Sequence, residues 1–359
     1  MRPTVATVSL DAIISNYQVA KHLTPASQNI AVIKANAYGH GMLKVAQSLE
    51  SSVPAFAVAF MDEAVALRHA GIRKPILVMQ GAFHASDIAQ ASADDFWLLL
   101  HNHQQIDWVL ASKSSDPITV WLKVDTGMHR LGLAPAVLDQ ICTDLLAAHN
   151  VREGIVLCTH LACADDLDNP MTRQQVNALR SCASKYGLAV SIANSTGILY
   201  WPESHAEWNR PGYMLYGNDP TRSMDGDAFG LIPAMTMQSE VVAIRNLEPG
   251  DGVGYGLDWV AERPSKIGTI AIGYGDGYPR HAPSGTPVLV NNHCVPLAGR
   301  VSMDAISVDL TELEHVKTGD PVELWGQNLS VDHVASAAGT IGYELLAGLT
   351  GRVPLVYPS

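Results

Sequence analysis

The amino-acid sequence predicts an α/β plus β protein, with an N-terminal (β/α)8 barrel of the TIM type followed by a C-terminal, mainly antiparallel β domain. Three observations lead there. Short β-rich runs alternate with helical stretches through the first part of the chain. From about residue 231 the texture changes to closely spaced runs of alternating apolar and polar residues, and Gly-rich turns separate them. The length of 359 residues exceeds one ordinary domain and suits a barrel of roughly 250 residues plus a smaller module.

Residues 4–8 read as a first strand, and Leu10, Ile13, Ile14 and Tyr17 recur at helical spacing behind Ser9, a side chain suited to capping a helix. Eight β-rich runs follow, at residues 30–34, 55–59, 75–80, 96–100, 118–124, 155–161, 189–194 and 213–216. Stretches between them, such as 62–70 and 136–148, carry apolar residues at the 3.6-residue period, so strand and helix alternate and the sheet is parallel. Eight such units close into a barrel. The later runs, among them 235–243, 265–272, 287–290 and 305–308, are punctuated by EPGDGVGYG and IGYGDGYP and read as a small antiparallel barrel. DPTRSMDGDAFG is the natural junction. It divides the chain into a barrel domain over residues 1–225 and a β domain over 226–359, with residues 1–8 free to pair with the second.

Hydrophobic residues make up 47% of the chain and charged ones only 16%, which supports a large core and excludes a disordered protein. The net charge of -12, with no run of Lys and Arg, argues against a nucleic-acid or anionic-membrane partner, so a small anionic ligand must be held locally. Five scattered cysteines without a CxxC pair suit reduced thiols and a cytoplasmic location. No apolar run of about 18 residues and no signal sequence is visible, and no metal is expected.

In a barrel of this kind, residues at the carboxyl ends of the strands face the active site. The first barrel run ends in AVIKANAYGHG, which places Lys34 directly after apolar residues. On position alone such a lysine merely reaches for water. A buried one, however, has a lowered pKa and forms a Schiff base with an aldehyde cofactor.

KANAYGHG resembles the cofactor-binding signature of alanine racemases, which carry pyridoxal phosphate. The resemblance continues in order through VWLKVDTGMHRLGL, THLACADD, IANSTGILYWP, RPGYMLYG, VGYGLDW, IGYGDGYPR and GRVSMD, and so spans both domains. It implies an enzyme that interconverts L- and D-alanine with pyridoxal 5'-phosphate on Lys34, supplying D-alanine for peptidoglycan or serving alanine catabolism. It also implies a homodimer in which Tyr255 of the partner subunit completes each site. Inversion needs a base on each face of the α-carbon, and the resemblance gives Lys34 one face and Tyr255 the other. A tyrosine of pKa about 10 needs its phenolate stabilised at neutral pH, a task that falls to His160 and Arg210. A turn aromatic covering the small barrel remains the other reading of Tyr255.

The resemblance assigns the remaining residues as well. Tyr38, Ser195 and the RPG turn at Gly212 and Tyr213, with Asn194 beside them, surround the cofactor phosphate. Ser195 also fits an ordinary helix cap. Arg210 faces the pyridine nitrogen; a donor-only guanidinium pairs with an unprotonated nitrogen and weakens the electron sink, which favours return of a proton over other outcomes. His160 lies by the ring and bonds towards Arg210. Arg130 donates to the phenolic oxygen and contacts substrate. Lys123 matches a position often carbamylated, the new carboxylate orienting the arginine, although a simple pairing of Lys123 with Asp125 stays open. Tyr274, Arg280, Arg300 and Met303 line the entrance or hold the substrate carboxylate, Met303 by its backbone N–H, and Asp165 and Asp304 fit an outer corridor. Ordinary surface pairing is the alternative for these.

The chain departs from the family pattern at Gly351, where some members carry a tyrosine near the cofactor, and so a broader alanine/serine racemase stays in view. Asn209 before RPG and Tyr213 after it stand where apolar residues are more usual, and Cys163 is a variable position. A cofactor-carrier protein would not need the β domain with Tyr255. A decarboxylase on the same barrel would want an acid where Arg210 stands.

Overall fold

A computed structural model describes residues 2–114, 116–219, 221 and 229–358. It divides into two compact units, one made of Ile14–Ala37 and Met42–Leu215, the other of Met1–Ile13, Tyr38–Gly41 and Tyr216–Ser359. The expected boundary at 225/226 lies outside the described residues.

The first unit is built on parallel strands Phe56–Val58, Ile76–Val78, Phe96–Leu100, Val120–Lys123, Val156–Cys158, Ala189–Ser191 and Trp208–Asn209, each paired with its neighbour in sequence. Most of their residues are buried, as strands covered on both faces must be. Residues 28–33 close the barrel by bonding alternately to both ends of this row. Ile30 N–H donates to Asn209 O at 2.9 Å and Val32 N–H to Pro211 O at 2.9 Å, while Ala31 and Ile33 N–H reach Ala55 O at 3.1 Å and Ala57 O at 2.9 Å. Lys34 stands one residue beyond that ladder. Helices Met61–His69 and Leu138–Ala147 lie where the 3.6-residue period places them.

One strand is not where the sequence puts it. Residues 213–216 form a 3₁₀ turn, Tyr213–Tyr216, and the eighth strand is Trp208–Asn209. Pro211 has no N–H for a ladder, and the donors beyond it serve a turn: Leu215 N–H goes to Gly212 O at 2.9 Å and Met214 N–H to the Ser195 hydroxyl at 3.1 Å. A short, fully buried apolar run carries no period that separates strand from turn.

Three indoles meet inside this unit. Trp97, Trp121 and Trp208 have ring centroids 5.5–6.2 Å apart. Side chains two residues apart on a strand share a face, so Trp121 lies one layer below Lys123 and Trp208 one layer below Arg210.

In the second unit, Met235–Leu247 is the long central strand. It pairs antiparallel with Val5–Val8, Ser265–Ile270 and Pro321–Trp325, and its register against Ser265–Ile270 shifts between Val241 and Ala243. Pro321–Trp325 leads to Pro287–Val290 and His293–Pro296, and a bridge from Leu297 to Val308 joins these to Ile306–Asp309 and back to Ser265–Ile270. The ring of six strands is a small barrel. Val5–Val8 lies outside it, with Leu355–Val356 alongside in parallel. The Ser9 hydroxyl accepts from Ala12 N–H at 3.1 Å and so caps helix Leu10–Leu23. Two short helices, Val331–Ala337 and Gly342–Ala347, interrupt the β texture. At under two turns each, they are too short for a helical period to show. Among the described residues no helix is long and apolar enough to cross a membrane.

Candidate active site

The carboxyl end of the first unit carries a concentration of positive charge. Lys34, Lys123, Arg130 and Arg210 all act on His160, and together with its burial they push the imidazole well below its ordinary pKa, so His160 is neutral at neutral pH. Burial likewise lowers the Lys34 amine; Arg130 and Arg210 add to this and Glu63 opposes it. Lys123 is lowered to about 8, mainly by burial. A lysine cheaper to deprotonate is a better nucleophile and base.

Arg210 is held rigidly. It is 6% exposed, and its guanidinium donates to Ser191 Oγ at 2.6 Å, Thr159 O at 2.7 Å and Ile192 O at 3.2 Å. No hydrogen bond links it to His160 among the described residues; its fork is spent on the neighbouring strand ends. Lys123 has no ion pair with Asp125, because that carboxylate shapes the turn after the strand. Asp125 accepts from Gly127 N–H at 3.1 Å, His129 N–H at 3.0 Å and His129 Nδ1 at 2.9 Å. The turn folds back through Asp125 N–H to Leu133 O at 2.9 Å and Leu133 N–H to Lys123 O at 2.8 Å, and Arg130 sits exposed on it.

The Ser195 hydroxyl accepts from the N–H groups of Gly212 at 3.0 Å and Met214 at 3.1 Å, which gathers the RPG turn against helix Ser195–Tyr200. The cap of that helix is Asn194, whose side chain accepts from Gly197 N–H at 2.9 Å; Ser195 is left for the turn. Tyr213 is buried. Tyr38 belongs to the second unit by contact; its ring lies 4.9 Å from that of Tyr216, and burial raises its pKa. The donors present suit a phosphorylated aldehyde: surplus cations, a lysine of lowered pKa and clustered N–H groups. Among the described residues no group of three or more His, Cys, Asp or Glu gathers as a metal would require.

In the second unit, Tyr255 is 68% exposed on a turn bracketed by Gly254, φ 71°, and Gly256, φ 77°. A Cβ on Gly256 would meet Asp258 Oδ1 at 2.9 Å and Arg300 Cζ at 3.1 Å, so glycine there lets the Arg300–Asp258 ion pair buttress the turn. Tyr274 and Met303 are neighbours through Tyr274 N–H to Ser302 O at 3.0 Å and Gly275 N–H to Met303 O at 2.9 Å. Asp304 pairs with Arg352 at 2.6 Å, and Arg352 with buried Asp276 at 3.3 Å. Arg280 is exposed there, as Asp165 is in the first unit. A Cβ on Gly351 would meet nothing within 4 Å.

Residues 8–220 match the model of the alanine racemase N-terminal domain, and residues 234–357 that of the alanine racemase C-terminal domain. The chain belongs to the alanine racemase family. It is 47% identical over 356 residues to an alanine racemase of Chromohalobacter salexigens, covering 99% of this chain and 98% of that one. The crystal structure of the biosynthetic alanine racemase from Pseudomonas aeruginosa is 46% identical and superposes with a TM-score of 0.97 over the whole of both chains. An alanine racemase from Bartonella henselae, 30% identical with a TM-score of 0.91 over both chains, was solved with covalently bound pyridoxal phosphate.

Two residues beside the candidate site escape sequence reasoning. Gln175, fully buried, donates to His160 O at 3.0 Å and accepts from Ala162 N–H at 2.8 Å, fixing the turn that presents His160. Glu63 accepts from Ala35 N–H at 2.6 Å, beside Lys34. Both sit on helices as ordinary polar residues, and only their reach to another segment distinguishes them.

Proposed function

We propose that the protein interconverts L- and D-alanine with pyridoxal phosphate on Lys34, and that Tyr255 from a second copy of the chain is the opposing base. The observation that carries this reading is the convergence of Lys34, Lys123, Arg130 and Arg210, drawn from three strand ends, on His160, with the Lys34 amine itself lowered in pKa. When bound, the cofactor delocalises the electron pair left at the α-carbon after proton removal. The residues do the rest. Lys34 takes or returns the proton on one face, and the hydroxyl of Tyr255 serves the other. Arg210, always charged and donor-only, has N–H groups beyond the three bonded to Ser191, Thr159 and Ile192, and one of these would face the ring nitrogen and favour its unprotonated form. Neutral His160 would lie beside the ring without adding charge. The Ser195 hydroxyl, which accepts from Gly212 and Met214 N–H and so keeps its own proton to donate, would hold the phosphate together with the RPG turn at Gly212 and Tyr213, with Asn194 capping the helix behind them. Tyr274, Arg280, Arg300, Met303, Asp165 and Asp304 order the approach.

Borohydride reduction followed by peptide mapping is expected to leave a reduced pyridoxyl group on Lys34. Label on Lys123 or another lysine overturns the assignment.

Lys123 is read as carbamylated, because its amine is buried near Arg130 and Arg210 and makes no ion pair among the described residues, Asp125 acting on it only from a distance. Carbamate forms from the neutral amine, of which a pKa of about 8 leaves roughly a tenth at pH 7 and half at pH 8. Occupancy therefore rises with pH over this range. A carbamate carbon signal from labelled bicarbonate, absent in Lys123→Met, is the expected NMR result; its absence in the unsubstituted protein at pH 8 refutes the modification.

A further inference from the structure

Residues 35–38 leave the barrel ladder in the left-handed conformation, with φ 51° at Ala35, 54° at Asn36, 55° at Ala37 and 51° at Tyr38. None is glycine, and L residues resist this geometry, so the surroundings must hold it. Ala37 N–H reaches Ile33 O at 2.9 Å and Met42 N–H reaches Asn36 Oδ1 at 2.9 Å, both bonds being local. Ala35 N–H instead donates to Glu63 Oε1 at 2.6 Å, a side chain from the next strand–helix unit.

The other oxygen of Glu63 has a separate task. Glu63 Oε2 accepts from Ala59 N–H at 2.8 Å and Phe60 N–H at 3.2 Å, capping helix Met61–His69. The following unit makes the same cap with a shorter acid: Asp87 Oδ2 accepts from Phe83 N–H at 2.8 Å and His84 N–H at 3.0 Å, ahead of helix Ala85–Ala93. An aspartate is therefore long enough for the cap. The extra methylene of Glu63 is what carries a second oxygen to Ala35.

We propose that Glu63 is a positioning residue for Lys34, its carboxylate tying the left-handed turn that follows Lys34 to the next helix start and so fixing the direction in which the lysine projects. The inference rests on the reading of Lys34 as the cofactor lysine. Glu63 also acts on the Lys34 amine, against Arg130 and Arg210.

Glu63→Asp separates the two tasks, since it keeps the cap and loses the reach. In the full-length holoenzyme it is expected to leave Tm within about 2 °C, to lower kcat at least tenfold with KM changed less than about threefold, and to speed hydrogen exchange at the Ala35 amide. Cofactor release by hydroxylamine is expected to quicken roughly fivefold. Asp87→Ala, which removes only a cap, is expected to lower Tm and leave all three functional readouts alone. A Glu63→Asp protein with kcat within twofold of the parent and unchanged Ala35 exchange makes Glu63 a cap and nothing more. Should that variant fail to fold, Glu63→Gln, which keeps the length but only one of the two acceptors, takes its place: kcat is expected to fall together with quickened Ala35 exchange, and either change without the other overturns the tether. Borohydride mapping of the unsubstituted protein runs in parallel: label away from Lys34 sinks the cofactor assignment, while label on Lys34 with an indifferent Glu63→Asp sinks the tether alone.

Discussion

Tyr255→Phe is expected to lower racemisation about a thousandfold while leaving the fold and cofactor binding intact. Tyr255 is 68% exposed within its own chain, so removal of its hydroxyl opens no cavity in that chain's core. Rates of racemisation cannot say which base serves which enantiomer: the two have equal free energy, the equilibrium constant is one, and any substitution lowers kcat/KM equally in both directions. Proton exchange can. With Lys34 still able to remove and return a proton on its own face, which the family resemblance gives to D-alanine, the variant in deuterated water should incorporate deuterium into D-alanine with retention. L-alanine should exchange far more slowly. Equal exchange of both enantiomers, or a fall in racemisation under about tenfold, some 1.4 kcal/mol of barrier, removes Tyr255 from the role of second base.

Arg210→Met is expected to lose activity at least a hundredfold and about 3 kcal/mol of stability. The side chain is 6% exposed and its three acceptors, Ser191 Oγ, Thr159 O and Ile192 O, would be left buried without their charged donor. A pH signature separates this from simple unfolding. Arg210 lowers the pKa of Lys34, Lys123 and His160, so its removal raises all three. Free Lys34 base then appears only at higher pH, and the acidic limb of the pH–rate profile moves upward. A variant that is merely less stable keeps that limb in place. Activity within threefold and an unmoved limb would show that the guanidinium is structural.

Much of the fold was legible because it follows from local rules. The alternation of fully buried short runs with helical periods marks a parallel barrel, since only strands covered on both faces lose the two-residue alternation. Ser9 names its helix start by capping chemistry alone. Where the run at 213–216 was misread, the cause is equally local: four buried apolar residues carry no period, and Pro211 and Gly212, which end the ladder, resemble any turn. The small helices near 331 and 342 failed for want of length.

The sequence by itself determined which residues can do chemistry and roughly where each lies on its strand: Lys34 behind an apolar run, Arg210 ahead of a turn, Tyr255 between glycines. Tertiary structure alone decided what those groups become. The depressed amines of Lys34 and Lys123 and the neutral His160 arise from burial and from cations brought close by barrel closure. Such interactions depend on distance and local dielectric between residues remote in the chain, which no local pattern records. The same holds for Asp125, drawn into its own turn and away from Lys123, and for Glu63, whose second oxygen reaches Ala35 only because neighbouring strands of the barrel set the two side by side.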